Sequence, residues 1–441
     1  MSFHPTCSLR CWTFAFLWLP AMAVLAQDDA DPGWDVRFQN TYIWQKKPGF
    51  RAAYSGENSL SPLPEKSYSF TTTVFMGLRL GPNTEFYFNP EFVQGVPLSR
   101  LAGMGGLSNG ELQKTAGSQL SAYRARAFVR HTWSLGGAAD SVGADLNQLA
   151  ARRDNNRVVL TAGNLAVGDI FDDNAYAHDA RTDFMNWGFL THGAYDFAAD
   201  ARGYSWGTAL EVYQADWVLR AGRFAMPKES NGVAIDFALG RHYGDQLELE
   251  KAYTVAGQPG KMRLLAYRNV AEMGNFSAAL ANAQASGSPP DIATSRQLRS
   301  KRGWGVNLEQ ALGKDLGLFA RFGRHDGAAE TFAFAEIDQS ASLGAVVSGT
   351  RWGRAPDAVG LAQVRHALSG SHRAYLAAGG YGFFIGDGRL NYAQETITEA
   401  YYRWGLGLPR LNNAALTLGF QHIKNPGYNA DRGPVKLLAL R

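Results

Sequence analysis

Cysteine is nearly missing from this chain. Both cysteines, Cys7 and Cys11, lie at the extreme N-terminus, so the rest of the chain has no disulfide framework and no thiolate metal site. Long apolar runs are missing as well. Only Cys11 to Leu25 is almost wholly apolar, which is short of the roughly 20 residues a membrane helix needs. Mean hydropathy is −0.23, which excludes a helical membrane protein. An excess of one charge is lacking too. Lys and Arg number 43 against 39 Asp and Glu, a net charge of +4, too weak a bias to point to nucleic acid or an anionic surface. The nine histidines are scattered, with no His-Glu-x-x-His, and no phosphate-cradling Gly-x-x-x-x-Gly-Lys occurs.

The N-terminus reads as a targeting segment. Arg10 is the only charged residue before Asp28, and Val24-Leu25-Ala26 offers modest or small residues to a signal peptidase. An acidic Pro-Gly stretch, Gln27 to Gly33, follows at once. The expectation is a cleaved signal peptide over residues 1–26 and one domain over 27–441. A mature chain without thiols suits export through an oxidising compartment.

What is present, from one end to the other, is alternation. Trp34, Val36, Phe38, Tyr42 and Trp44 share one parity, and Asp35, Arg37, Gln39, Thr41 and Gln45 the other. Side chains on a strand point alternately to its two faces, so this stretch has one apolar and one polar face. Tyr68, Phe70, Val74, Met76, Leu78 and Leu80 repeat the pattern, as do Phe86, Phe88 and Phe92 opposite Glu85, Tyr87, Asn89 and Glu91. Further strands are expected at Trp206 to Val212, Trp217 to Phe224, Gln246 to Tyr253, Lys261 to Asn269 and Gly303 to Gln310. The remainder are Leu316 to Gly323, Thr331 to Ile337, Ala358 to Arg365, Arg373 to Phe384, Ile397 to Leu406, Ala415 to His422 and Val435 to Arg441. Turn signals such as Gly81-Pro82-Asn83 and Gly313-Lys314-Asp315 separate some of them. Phe50 to Glu65, Ser99 to Gln119 and Asn275 to Ser300 are rich in Gly, Ser, Pro and Ala and read as long extracellular loops. A secretory signal combined with aromatic-rich alternating strands predicts an all-β, transmembrane antiparallel barrel with a wet interior in a bacterial outer membrane. About 26 residues per strand at 16 strands is a reasonable strand-plus-loop allotment.

Arg124, Arg126 and Arg130 alternate with Tyr123, Ala125, Ala127, Val129 and Trp133. An arginine facing lipid at the midplane costs about 2–4 kcal/mol, so all three arginines are expected in the lumen. Two motifs invite other chemistry. Gly203-Tyr204-Ser205-Trp206-Gly207 fits a hydrolase nucleophile elbow, but a strand rather than a helix follows it. Asp169, Asp172, Asn174 and Asp179 cluster without the turn glycine of a calcium loop, and they read as carboxylates paired with arginine or water. No metal and no cofactor are expected.

The segment Leu160 to Trp187 reads LTAGNLAVGDIFDDNAYAHDARTDFMNW. It resembles the Gly-Asn, Asp-x-Phe-Asp, Asn-x-Tyr and Asp-x-Arg-x-x-Phe-x-Asn pattern of the carbohydrate-selective porins of the OprB type. AGRFAMPKESNG at Ala221 to Gly232, EAYYRWGL at Glu399 to Leu406 and QHIKNPGYNADRGPV at Gln421 to Val435 are similar to the same family, so the likeness covers most of the chain. The resemblance implies a 16-strand outer-membrane barrel, inserted by the barrel assembly machinery, that passes monosaccharides by diffusion past an inward-folded constriction loop. One departure is the C-terminus: this chain ends Leu440-Arg441 where such barrels end in an aromatic residue, and the last strand is expected to be short.

A sugar pore needs donors, acceptors and flat faces, which arginine, carboxylates and aromatics supply. The inward parity offers Asp35, Arg37, Glu85, Tyr87, Glu211, Glu248, Glu250, Glu399, Tyr401 and Arg403. The candidate pore-lining contacts are Arg124, Arg126, Arg130, Asp169, Asp172, Asn174, Arg181 and Glu211. The expected partners are a carbohydrate and outer-membrane lipid, with no nucleic acid; a homo-oligomer stays open. Also open are a pore for other small or anionic solutes and a barrel-borne hydrolase using Ser205.

Overall fold

The computed structural model describes residues 33–112, 116–333, 335–408, 411 and 413–441. The expected signal peptide lies outside the described residues. Among the described residues, eighteen strands run in chain order: β1 (Trp34–Lys47), β2 (Glu65–Gly81), β3 (Thr84–Val96), β4 (Ser121–Ser134), β5 (Ala139–Val142), β6 (Ala151–Asp154), β7 (Arg157–Leu165), β8 (Ser205–Gln214) and β9 (Trp217–Ala225). They continue with β10 (Tyr243–Val255), β11 (Gln258–Met273), β12 (Gln297–Leu312), β13 (Leu316–His325), β14 (Gln339–Ser348), β15 (Ala358–Ala367), β16 (Glu395–Gly405), β17 (Ala415–Lys424) and β18 (Val435–Leu440). All but β5 and β6 form one closed antiparallel barrel of 16 strands, with β18 pairing back onto β1. β5 and β6 make a separate two-stranded hairpin.

The alternation in the sequence is the two faces of this wall. Trp34, Phe38 and Tyr42 are 55%, 61% and 52% exposed, while Thr41, Ile43 and Gln45 between and beyond them are buried. Outward Leu343 and Leu418 are 66% and 61% exposed. In a soluble sandwich the apolar face would be the covered one. Here the polar face is covered and the apolar face bare, which is the arrangement a lipid-facing barrel requires. Tight turns at 82–83, 215–216, 256–257 and 313–315 lie at one rim, and the long connections 48–64, 97–120, 166–204, 274–296 and 368–394 at the other. Short turns mark the periplasmic rim and long loops the extracellular rim.

The loops fold back into the barrel and give it an interior. Phe171, Phe184, Phe189, Tyr195 and Phe197 of the 166–204 connection are buried against wall residues such as Phe224, Tyr267, Phe319 and Tyr401. Two helices belong to this infill: α1 (Phe276–Ser286) and α2 (Gly370–Ala377).

Three sequence readings are corrected. Thr331 to Ile337 is not a strand. Phe332, Ala333 and Ile337 are buried inside the barrel, and the backbone N–H groups of Phe332 and Ala333 donate to the Asp196 carboxylate at 3.0 and 2.9 Å instead of to a neighbouring strand. The barrel strand is β14, which begins two residues after that run ends and whose small residues on both faces hide its period. Arg373 to Phe384 contains most of α2, which Ser369 caps by accepting from the His372 N–H, with Tyr375 and Leu376 buried. The third correction is Arg124. Asn89 pairs with Arg126 but Pro90 pairs with Arg124, so Ala125 is an extra residue in β4. Proline has no N–H to give the ladder, and a bulge absorbs the mismatch. A one-residue bulge reverses facing beyond it. Tyr123 turns into the lumen opposite Glu91, and Arg124 turns out, its guanidinium 5.0 Å from the Trp206 ring. The three arginines therefore do not share a face.

Candidate constriction site

Leu160 to Leu165 completes β7, and the inward loop begins at Ala166. Gly163, at φ +144, sits where a Cβ would lie 2.4 Å from the Ala127 carbonyl oxygen, so glycine alone allows this close approach. Beside it the Asn164 amide donates to the Ala125 carbonyl at 2.7 Å, satisfying the bulged residue. The chain then turns inward, and the Ala166 N–H donates to Asp169 Oδ2 at 3.1 Å, fixing that carboxylate at the lumen wall. Arg126 of β4 meets it with two parallel bonds, Nε to Oδ2 and Nη2 to Oδ1, both 2.6 Å. Such fork-on-carboxylate geometry is among the strongest neutralised contacts a side chain makes.

A second arginine, Arg181 of the loop, ties the loop to the wall of β1 to β3. Arg181 Nε donates to both Glu111 carboxylate oxygens at 2.8 Å, Nη2 donates to Glu91 Oε2 at 2.9 Å, and Nη1 donates to Gln39 Oε1 at 2.8 Å and Thr73 Oγ1 at 3.2 Å. Residues from β1, β2, β3 and two loops thus converge on one guanidinium. Burial works against its charge, but Glu111 and Glu91 prevail and hold its pKa well above the ordinary value. Glu111 itself is pushed up, burial outweighing the nearby Arg181. Tyr123 and Tyr204 donate their hydroxyls to Glu91, the latter at 3.3 Å, with ring centroids 6.0 Å apart. The Arg126 guanidinium lies 5.3 Å from the Tyr204 ring, and that of Arg202 5.2 Å from the Tyr123 ring. Beside this set is a cavity of about 120 Å³ lined by Glu111, Arg181, Trp187, Arg202 and Tyr204 among others.

The rest of the loop is fastened to the opposite wall. The Asp172 N–H donates to Glu248 Oε2 at 2.7 Å, the Ala175 N–H to Glu309 Oε2 at 2.9 Å, and the Met185 and Asn186 N–H groups to Glu399 at 2.7 and 3.0 Å. Buried Asp196 accepts from the Lys301 ammonium at 2.9 Å. His192 lies flat on Gly305 and Gly323, where a Cβ would come within 2.3 and 1.9 Å of its ring, and burial lowers its pKa.

The candidate residues therefore separate. Arg126, Asp169 and Arg181 come together at the constriction. Asp172 and Asn174 are buried fasteners: Asp172 accepts from the His192 N–H at 2.6 Å and the Asn307 amide at 2.7 Å, and Asn174 donates to Asn307 Oδ1 at 2.7 Å. Arg130 is in the lumen nearer the periplasm, 5.1 Å from the Tyr87 ring, and donates to the Asn147 carbonyl of the β5–β6 hairpin at 3.0 Å. Glu211 is wall-bound to Arg220 at 3.1 Å and accepts from the Tyr213 hydroxyl at 2.7 Å. Arg124 is outside. Asp179 accepts from the Arg181 N–H at 2.8 Å, so of the four residues of the supposed calcium cluster Asp172 and Asn174 share Asn307 while Asp169 and Asp179 serve Arg126 and Arg181. Ser205 opens β8 with its hydroxyl donating to the Ala225 carbonyl at 2.6 Å. Sequence reasoning passed over Glu91, Glu111, Arg202 and Tyr204. The inward parity of Glu91 could have marked it; Glu111 sits in a loop with no distinguishing pattern.

No curated protein sequence matches the chain significantly. Among solved structures, OprB of Pseudomonas putida at high pH is 16% identical and superposes with a TM-score of 0.69, covering 92% of this chain and 93% of that one. The low-pH structure of the same protein is 14% identical with a TM-score of 0.47, over 92% and 91%. The outer-membrane channel DcaP of Acinetobacter baumannii is 10% identical with a TM-score of 0.48, over 94% and 99%. The first shares the porin fold. The family described as carbohydrate-selective porin, OprB family, matches residues 58–441, so this chain belongs to that family: it is a bacterial outer-membrane channel through which carbohydrates diffuse passively.

Proposed function

We propose that the channel prefers monosaccharides, and that Arg126, Asp169, Arg181, Glu91, Glu111 and Tyr204 form its selective passage. The observation that carries this is the Arg181 guanidinium, whose five hydrogen bonds to four residues draw wall and loops together into a set of matched donors and acceptors. A neutral polyol exchanges hydrogen bonds with such a set one for one, at a net change of about 0.5–1.5 kcal/mol per bond. A charged solute must compete with an existing ion pair. Tyr204 and Trp187 give a sugar ring flat faces beside those polar groups. A passage built this way moves solute down its gradient without chemical turnover.

Swelling of proteoliposomes tests the reading. Hexoses should enter several times faster than disaccharides, and faster than hexuronates of the same size. Equal rates for hexose and disaccharide would overturn the size preference, and equal rates for hexose and hexuronate would overturn the role given to the ion pairs.

A further inference from the structure

On the outer wall, Arg268 of β11 stands directly opposite Arg302 of β12. Residues so paired have Cβ atoms about 4.5–5.5 Å apart, and like charges placed there repel. Arg324 of β13 pairs with Trp304, which makes it the diagonal neighbour of Arg302, about 7–8 Å away. Arg365 of β15 sits opposite Ala341 of β14, again stepped toward the periplasm along the register. In a tilted barrel such steps hold side chains from successive strands at one height. All four arginines are exposed, and all lie in the extracellular halves of their strands.

The neighbouring carboxylates are engaged by other groups. Asp245, opposite Arg268 on the other side, is held by Arg223 through bonds of 2.7 and 2.8 Å. Asp326 accepts from the backbone N–H groups of Arg302 and Ala328. Glu272 is paired with Arg241 at 3.0 Å. Arg268 donates to the Ser300 hydroxyl at 3.0 Å, and none of the four arginines forms an ion pair among the described residues. Immediately toward the membrane lie Trp304 and Phe322, ring centroids 5.4 Å apart, and then Leu264 and Leu308 of the lipid-facing belt.

We infer that Arg268, Arg302, Arg324 and Arg365 form a docking site for a phosphate-bearing lipid of the extracellular leaflet. The occupant follows from position. Four forked cations stand at the headgroup level, directly above aromatic and aliphatic side chains that meet acyl chains. Guanidinium groups match phosphate oxygens two by two, and one phosphate bound between Arg268 and Arg302 removes the repulsion their register imposes. The site faces away from the lumen, so it is separate from sugar passage.

The test uses the purified full channel in detergent and a diphosphorylated, acylated disaccharide lipid, with its dephosphorylated form as control, read by native mass spectrometry. Wild type should hold the phosphorylated lipid and release it as salt rises. Each arginine near a charged lipid surface is worth roughly a fivefold change in affinity. The triple variant R268Q/R302Q/R324Q should therefore bind about a hundredfold more weakly, while R268K/R302K/R324K, which keeps the charge and serves as the folding control, should retain most binding. Heat-modifiable migration and single-channel conductance should match wild type in both. Equal binding of the two lipid forms, or unchanged binding in the glutamine variant, would overturn the proposal. Displacement of the lipid by millimolar inorganic phosphate would also overturn it, by making the patch a general anion site.

Discussion

The inward loop has two sides, built by opposite rules. On the side facing β10 to β16 it is sealed to the wall: strand carboxylates of Glu248, Glu309 and Glu399 take loop N–H groups, and Asp196 takes the fully covered Lys301 ammonium. On the side facing β1 to β4 the same loop presents Asp169, Arg181 and Tyr204 to a passage, where ion pairs are partly wet and flanked by a cavity. Buried charges on the first side fix position, because the carboxylates of Glu248, Glu309, Glu399 and Asp196 already hold loop or wall donors. Partly exposed charges on the second side can trade partners with a solute. On the proposed function, the residual exposure of Arg126, Asp169 and Arg181, more than charge or motif membership, sets them apart from the fastening residues.

The largest effect should come from breaking the sealed side. Asp196→Ala leaves the Lys301 ammonium buried without its carboxylate and removes the acceptor for two backbone N–H groups. Removing one partner of a buried pair costs about 3–5 kcal/mol. The variant should lose heat-modifiable migration at a clearly lower temperature and give noisier, larger single-channel currents. Wild-type stability and quiet currents would show that this seal does not hold the loop.

A smaller effect sharpens the wet side. Burial raises the Glu111 carboxyl above its ordinary 4.5, so on acidification it takes a proton before an exposed glutamate does. The Arg181 guanidinium then loses part of its counter-charge. The reversal potential in a salt gradient should shift toward anions on acidification at a pH above the ordinary glutamate value, and Glu111→Gln should show the shifted value at neutral pH with no step. A step that persists in the glutamine variant would assign the titration to another group.

The smallest effect is expected at Arg124. The bulge at Ala125 places it outside, against Trp206. Arg124→Gln should leave ion selectivity and sugar block of the current unchanged. A change as large as that of an Arg126 substitution would return it to the lumen and contradict the register of β3 and β4.

Much of the wall was legible because lipid imposes a period of two. β1, β2 and β3 carry large apolar residues outward with little interruption, and their limits fall close to the sequence expectation. What escaped did so for physical reasons. A single proline in β3 shifts the partner strand by one residue, and strand patterning alone does not show where the extra residue goes. Thr331 to Ile337 reads as a strand because its apolar residues Phe332, Ala333 and Ile337 pack inside the barrel, where apolar burial mimics a strand. β14 is patterned too weakly to announce itself, since Gly344 must make room for the Phe319 ring. At the constriction, the Leu160 to Trp187 motif led to Asp169 and Arg181. It led equally to Asp172 and Asn174, because a family-like pattern marks fasteners and filters alike. Glu111 comes from a loop distant in sequence and is fixed only by its contact with Arg181.

On the proposed function, Arg126 and Arg181 set the narrowest, sugar-contacting point of the lumen. Single-channel current in a planar bilayer, titrated with a hexose, tests it most directly. Wild type should show a saturable fall in current as hexose is added. The double variant R126A/R181A, still heat-modifiable, should conduct at least about twice as much current and respond weakly to the sugar. Equal conductance and equal sugar block in the two proteins would place the constriction elsewhere and contradict the account.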